Sequence, residues 1–385
     1  MKFYGFHLMP YRHLTRQQID ESPTRWVTFS NSHFEAEQAA ELYEEYLDEL
    51  CYYDSNGFDG VCVNEHHQTA YGLMPSPNLM AAMLIPRVKG KIAILGNALS
   101  LRTHPLQVAE EVAMLDVMSR GRILCGFVRG IGGEYYNFDQ DPSQSRDRFY
   151  EAHDLIIKAW TEPGPFEWYG KYFKQRYVNP WPLPYQKPHP QIWSPSQGSG
   201  ETVDWAAKNR YTYCQTLSDA ATVTRVFGDF RNACRSYGYE AHPEQMSYSV
   251  PIYVADTDEE AMREAKPHMM SYFNDFLKMP PDMLFPAGYL TVESATRVMA
   301  SRKGLGNQQV FEELVDKGTI LVGSHDTVRE RLESMHQAAG FGAMAPYFQF
   351  GSMPPELFRK SVSIFSDKVM PALRPLGESL VPLGS

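Results

Sequence analysis

Short apolar, β-rich runs recur along the chain, and each precedes a stretch with helical periodicity. The first run covers residues 2–8. After it, Ala39, Leu42, Tyr43, Tyr46, Leu47 and Leu50 recur at helical spacing within 35–53. The second run, 58–63, precedes a helix over about 78–88, and the third, 92–96, precedes a helix opened by Pro105 and reaching about 118. The fourth, 123–127, leads through a Gly-rich turn to a helix over about 146–160. Runs at 191–193, 211–215 and 246–255 precede helices over about 202–209, 220–237 and 258–273. A last run at 345–350 precedes 356–370. Eight strand–helix units predict an α/β fold, a single closed (β/α)8 TIM barrel over 1–375 followed by a tail, 376–385. The rival is an open doubly wound sheet. Against it, no Gly-x-Gly-x-x-Gly follows a strand: Gly130-Ile131-Gly132-Gly133 and Gly198-Ser199-Gly200 both lack the third glycine.

Two segments exceed ordinary loop lengths. One is the proline-rich stretch 163–190, which carries Trp168, Tyr169, Tyr172, Phe173 and Trp181; the other is 278–319. Long insertions at the C-terminal face of a barrel act as lids or subunit contacts, and the reading here is that these two roof the mouth. Surface elaboration without function is the competing reading of each.

Composition narrows the class. The 385 residues are 43% hydrophobic, 13% aromatic and 21% charged, the balance of a globular chain. A net charge of -10 argues against a nucleic-acid or anionic-membrane partner bound through a basic surface. No window offers 18 uninterrupted apolar residues, so no membrane span is expected. The chain starts straight into an apolar alternation, without a signal-type apolar region. The five cysteines are scattered, odd in number and never in a Cys-x-x-Cys pair, which fits reduced thiols in a cytoplasmic protein.

Barrel chemistry sits where strands end. Four junctions carry candidate groups: Asn64-Glu65-His66-His67-Gln68, Gly96-Asn97-Ala98-Leu99-Ser100, Val128-Arg129-Gly130, and the small-residue stretch from Ser194 to Thr202. Small residues ahead of a helix leave N–H groups and hydroxyls facing its N-terminus, an anion seat to which Arg129 could add a guanidinium. The plain alternative is helix capping by Ser199 with Arg129 in a structural pair. For Glu65-His66-His67 three readings stand: metal ligands, acid–base catalysis or structure. Adjacent residues on an extended end point apart, and the i, i+4 pair of histidines usual for zinc is missing, so no metal is expected.

These residues resemble a family. Glu65-His66-His67, the block from Leu99-Ser100-Leu101-Arg102-Thr103-His104-Pro105 through Asp116, Ser119-Arg120-Gly121-Arg122, Gly126-Phe127-Val128-Arg129-Gly130 and Gly198-Ser199-Gly200-Glu201-Thr202 resemble the bacterial luciferase-like flavin monooxygenases, over nearly the whole chain. The resemblance implies a TIM barrel of that type, reduced FMN as co-substrate, O2, a separate NAD(P)H:flavin reductase and a homodimer joined through the helices after strands two and three. It implies that oxygen is carried as a flavin C4a-peroxide, which survives only if water is kept away. His66 matches the catalytic histidine. Asn97, Ala98 and Leu99 match the segment against the isoalloxazine, often with a non-proline cis peptide. Arg129, Ser199, Gly200 and Thr202 match the phosphate side. Two departures point away from light emission: Val128 replaces the reactive cysteine of luciferase, and the turn Gln197-Gly198-Ser199 lacks its glutamate. The hydroxylase or Baeyer–Villiger branch is the closer likeness.

The expected activity is therefore oxygenation of a mostly hydrophobic small organic substrate, with Phe6, His7, Tyr71, Leu73, Met74 and Phe127 as pocket candidates. Three alternatives have a distinguishing observation each. A deazaflavin-dependent oxidoreductase would need no oxygen, a non-catalytic flavin-binding subunit would have no turnover of its own, and a metal-dependent barrel hydrolase would be stopped by chelators.

Overall fold

The computed structural model of the protein describes residues 1–290 and 308–377. Eight parallel strands close into a barrel: β1 (Lys2–Phe6), β2 (Gly60–Val63), β3 (Lys91–Ala98), β4 (Ile123–Val128), β7 (Ile192–Ser196), β8 (Thr212–Thr216), β9 (Met246–Ser249) and β12 (Ala343–Met344). The expected barrel is thus present, and its strands read as near-continuous apolar runs because both faces are covered. The inner face is identified by contacts across the barrel. Tyr4 of β1 and Trp193 of β7, on opposite walls, meet edge-on with ring centroids 5.2 Å apart. Outside lie α2 (Ala36–Ser55), α3 (Pro77–Leu84), α4 (Pro105–Ser119), α6 (Ser145–Thr161), α7 (Gly200–Lys208) and α8 (Ala220–Ser236). Among the described residues no helix is long and apolar enough to cross a membrane.

Two strands differ from the pattern in the sequence. The run 246–255 divides at Pro251, which has no N–H to donate. Its second half, β10 (Ile252–Ala255), leaves the barrel and pairs in parallel with β11 (Leu321–Ser324). The eighth barrel strand is only Ala343–Met344; the apolar run 345–350 continues beyond it as buried chain, tied by Tyr347 N–H to the Val250 carbonyl at 3.1 Å.

The insertions also part company. Segment 163–190 joins the C-terminal end of α6 to the start of β7, the end of the barrel opposite the mouth. Its hairpin, β5 (Phe166–Tyr169) and β6 (Lys174–Val178), then climbs the outer flank of α6. Lys158 sits over the Phe166 ring, Glu151 accepts from Trp168 Nε1 and from the Tyr172 and Phe173 N–H groups, and Lys171 reaches Asp147. The expected roof is therefore not formed by this segment. Within 278–319, residues 278–290 do lie at the mouth, where the Tyr289 hydroxyl donates to the Gly130 carbonyl at 2.6 Å. The rest of that expectation falls partly, and the 376–385 tail mostly, outside the described residues.

Candidate functional site

The mouth is organised around His66, three residues beyond β2. Its Nδ1 lies 3.1 Å from Oε1 of Glu134, a residue 1% exposed in α5 (Gly132–Asn137). Glu134 Oε2 accepts the Ile131 N–H at 2.8 Å, so the carboxylate is fixed on both oxygens. A carboxylate only accepts, so Nδ1 carries the hydrogen of this contact, and Nε2 is the ring nitrogen left for other chemistry. Trp26 and Tyr71, stacked on each other at 4.7 Å, each meet the His66 ring edge-on at 5.2 Å. His66 N–H donates to the Met74 carbonyl. These contacts leave the imidazole 18% exposed and able to turn little.

His67 points the other way, to Glu65 Oε1 at 2.7 Å. The second oxygen of Glu65 accepts from Arg102 at 2.6 Å and from the Ala98 N–H at 3.3 Å. Glu65 thus fixes the end of β3, where Ala98 packs with Leu101 and Tyr135 against Val128 and Tyr289. Leu99 is fully buried beside them.

A run of phenols roofs the mouth. The Tyr71 and Tyr272 hydroxyls lie 3.3 Å apart, as do those of Tyr272 and Tyr347, and Phe6 meets the Tyr347 ring edge-on. Burial pushes all three phenols well above their ordinary range, so they stay protonated. Tyr272 opens the π-helical turn Tyr272–Phe276, and Phe276 accepts from Trp26 Nε1 at 2.9 Å. The segment leading into 278–290 is thereby pinned to the His66 cage.

The anion-seat candidates occupy one rim. Arg129 donates to Ser145 Oγ and to the Tyr289 carbonyl, both at 3.2 Å, and lies 4.5 Å over the Tyr289 ring. The next residue, Arg146, pairs with Glu201 Oε1 at 3.2 Å in the first turn of α7. Ser199, Gly200 and Thr202 therefore lie one contact away from Arg129, across the start of α6. Gly198 supports this turn with φ +96°, which any Cβ would strain, and its N–H donates to the Tyr213 hydroxyl.

Four sequence expectations need correction. His7 is not in the mouth: it is fully buried behind the barrel wall, with Nε2 2.7 Å from Glu49 Oε2 of α2 and its ring against Tyr46. Phe127 also faces outward, stacking on Trp160 and lying edge-on to His153 of α6. Asn97 shares this outward phase, since a bulge between Ile94 and Asn97 puts it in register with Phe127. Its side chain accepts from Asn78 of α3, away from the cofactor position expected for it. Every cis peptide among the described residues precedes a proline, so the 97–99 bonds are trans. Of the remaining pocket candidates, the Phe6 ring meets Tyr347 and the Tyr71 ring meets His66, while Leu73 and Met74 are tied through their main chains, Leu73 to Met9 and Tyr43 and Met74 to His66. Glu134, Trp26, Tyr272 and Tyr347 were not singled out from the sequence. Only Glu134 had a local signal, a glutamate three residues into a Gly-led helix.

The luciferase-like monooxygenase family model matches residues 24–341. An uncharacterized protein of Sinorhizobium fredii is 26% identical over 80% of this chain and 84% of its own. The oxygenase component of the flavin-dependent trigonelline monooxygenase of Acinetobacter baylyi is 29% identical over 61% of this chain and 66% of its own. The oxygenating constituent of 3,6-diketocamphane monooxygenase from Pseudomonas putida, a type II Baeyer–Villiger enzyme solved with FMN, superposes with a TM-score of 0.73 at 20% identity, covering 96% and 98% of the two chains. The chain belongs to the luciferase-like monooxygenase family.

Proposed function

We propose that this member of the luciferase-like monooxygenase family is the oxygenase component of a two-component enzyme. It takes reduced FMN from a separate NAD(P)H:flavin reductase and uses O2 to hydroxylate a mostly hydrophobic small organic molecule, or to insert oxygen beside its carbonyl. The whole chain acts as one barrel domain. The observation that carries this reading is His66, clamped by Glu134 between Trp26 and Tyr71 at the end of β2, with a cationic rim on the other side of the mouth.

The residues present fit a flavin. Asn64 Oδ1 and Ser249 Oγ are buried at the C-terminal ends of β2 and β9 without a hydrogen-bond partner, and an isoalloxazine edge carries both donors and acceptors for such atoms. Ala98 and Leu99 would lie against the ring, while Arg129, Ser199, Gly200 and Thr202 would hold the phosphate. Bound reduced FMN would supply the electrons that activate oxygen. The chain's own part is different. His66 Nε2 takes or returns a proton at the reacting centre. Trp26, Tyr71, Tyr272 and Tyr347, with residues 278–290 above Gly130, exclude water. Phe6, Tyr71 and Met74 offer an apolar wall to the substrate.

A second copy of the chain fits the outer face of α3 and α4, where Leu79, Met83, Met114, Val117 and Met118 are all exposed. The helices are the pair expected from the family resemblance.

The test mixes the protein, loaded with reduced FMN, against oxygenated buffer and follows the return of oxidised-flavin absorbance and the release of hydrogen peroxide. Bound flavin should be reoxidised more slowly than free flavin. His66→Ala should lower turnover about 10²-fold with flavin binding retained. Failure to bind reduced FMN would overturn the reading and favour a deazaflavin cofactor.

A further inference from the structure

Two helix starts converge on one carboxylate at the rim of the mouth. The 17-residue α6 begins at Ser145 and the 9-residue α7 at Gly200, and neither has a side-chain cap on its first turn. Ser199 occupies the N-cap position of α7, where a serine oxygen ordinarily accepts a helix N–H. Here its hydroxyl instead donates to Glu201 Oε2 at 2.8 Å. The other oxygen of Glu201 faces Arg146 Nη2 at 3.2 Å. One hydroxyl and one guanidinium are thus committed to a carboxylate on the same rim as Arg129, which holds Ser145 next to Arg146. A phosphate monoester would demand those same two donors.

We propose that Glu201 is an internal counter-anion for the flavin phosphate seat: it holds the Arg146 and Ser199 donors while the seat is empty and must give them up when a phosphate enters. This rests on the flavin reading above and adds a regulating residue to it. The carboxylate lowers the affinity for the phosphorylated flavin without touching the ring site. It thereby favours the release of spent flavin that a diffusing co-substrate requires. Glu201 is one-third exposed and Arg146 about one-fifth, so solvent screens the exchange and the effect is moderate.

The experiment measures dissociation constants of oxidised FMN and riboflavin, by flavin fluorescence, for the wild type, Glu201→Gln and Arg146→Gln. Thermal melts establish that each variant is folded. Glu201→Gln keeps the side-chain shape and removes the charge. It should tighten FMN about fivefold, an energy on the order of 1 kcal/mol, and leave riboflavin unchanged. Arg146→Gln should weaken FMN and likewise leave riboflavin unchanged. A Glu201→Gln protein with unaltered or weaker FMN binding, in a wild type that prefers FMN to riboflavin, would overturn the role of Glu201 alone. A wild type that binds the two flavins equally would remove the phosphate seat itself, and the proposal with it.

Discussion

The pair His7–Glu49 makes a quantitative test of how the barrel wall is built. Both side chains are fully buried, Nε2 and Oε2 are 2.7 Å apart, and the Met9 N–H donates to His7 Nδ1. Burial takes the imidazole down to about 3 and pushes the Glu49 carboxyl well above its ordinary range, so in the folded protein the pair holds a single proton across the neutral range. In the unfolded chain the pair holds two protons below about pH 4.5, one up to about 6.5 and none above. The signs follow. Below 4.5 the unfolded chain binds the extra proton, so this contribution to stability rises with pH. Between 4.5 and 6.5 it is level. Above 6.5 the folded chain binds the extra proton, and the contribution falls tenfold in the folding constant per pH unit, roughly 3 kcal/mol over two units. Glu49→Gln removes the carboxyl's share. The stability of the wild type relative to this variant, from urea unfolding at a series of pH values, should decline by that slope from about pH 4.5 upward. Parallel profiles for the two proteins would mean that Glu49 is ionised inside the fold and that the argument from burial is wrong.

Two further outcomes are expected. Glu134→Gln preserves the volume but leaves one acceptor oxygen where there are two, so with the Ile131 N–H contact kept an amide NH2 faces His66 Nδ1 in place of an acceptor; turnover should fall about tenfold or more, with KM little changed, and an unchanged kcat would show that His66 needs no orienting carboxylate. Met118→Glu together with Leu79→Glu places charges on the exposed α3–α4 face, and sedimentation should then report a monomer where the wild type sediments as a dimer; a monomeric wild type would refute the face as a contact.

What the chain disclosed beforehand and what it withheld have a common physical cause. Strands and helices were readable because apolar runs of four to eight residues alternate with amphipathic helices. The side of the wall each residue faces was not. In β1, Phe6 turns inward and His7 outward. In β4, Phe127 falls on the helix side, with Gly126 facing the barrel. A shift of one position exchanges pocket for core. Asn97 shows the sharper form of this. Counting by twos from Ala93 puts it inside, but Gly96, with φ +129° and Val128 too close for any Cβ, takes up the extra residue of a bulge and turns Asn97 outward. The role of Glu134 depends on a partner 68 residues away, and the phenol run joins residues 201 and 75 apart in sequence, separations that no local pattern encodes. The candidate histidine and the cationic rim were legible because each stands at a strand end, where the architecture itself dictates the address.

The parallel pairing of β10 with β11 also has a consequence for how such a chain can change over evolutionary time. Ile252 lies beside Leu321 and Ala255 beside Ser324, so the polypeptide leaves this small ladder after Ala255 and rejoins it at Leu321, a strand's length away. Everything between is attached as by a clasp. Because the cost of closing a loop grows only with the logarithm of its length, residues can be gained, lost or exchanged there while the eight-stranded ring keeps its closure. The stretch so released includes Tyr272 and Tyr289, which touch the mouth directly. The candidate histidine and part of the lining of the mouth thus sit on separately attached parts: the closed ring of strands, and a segment whose length can change without reopening that ring.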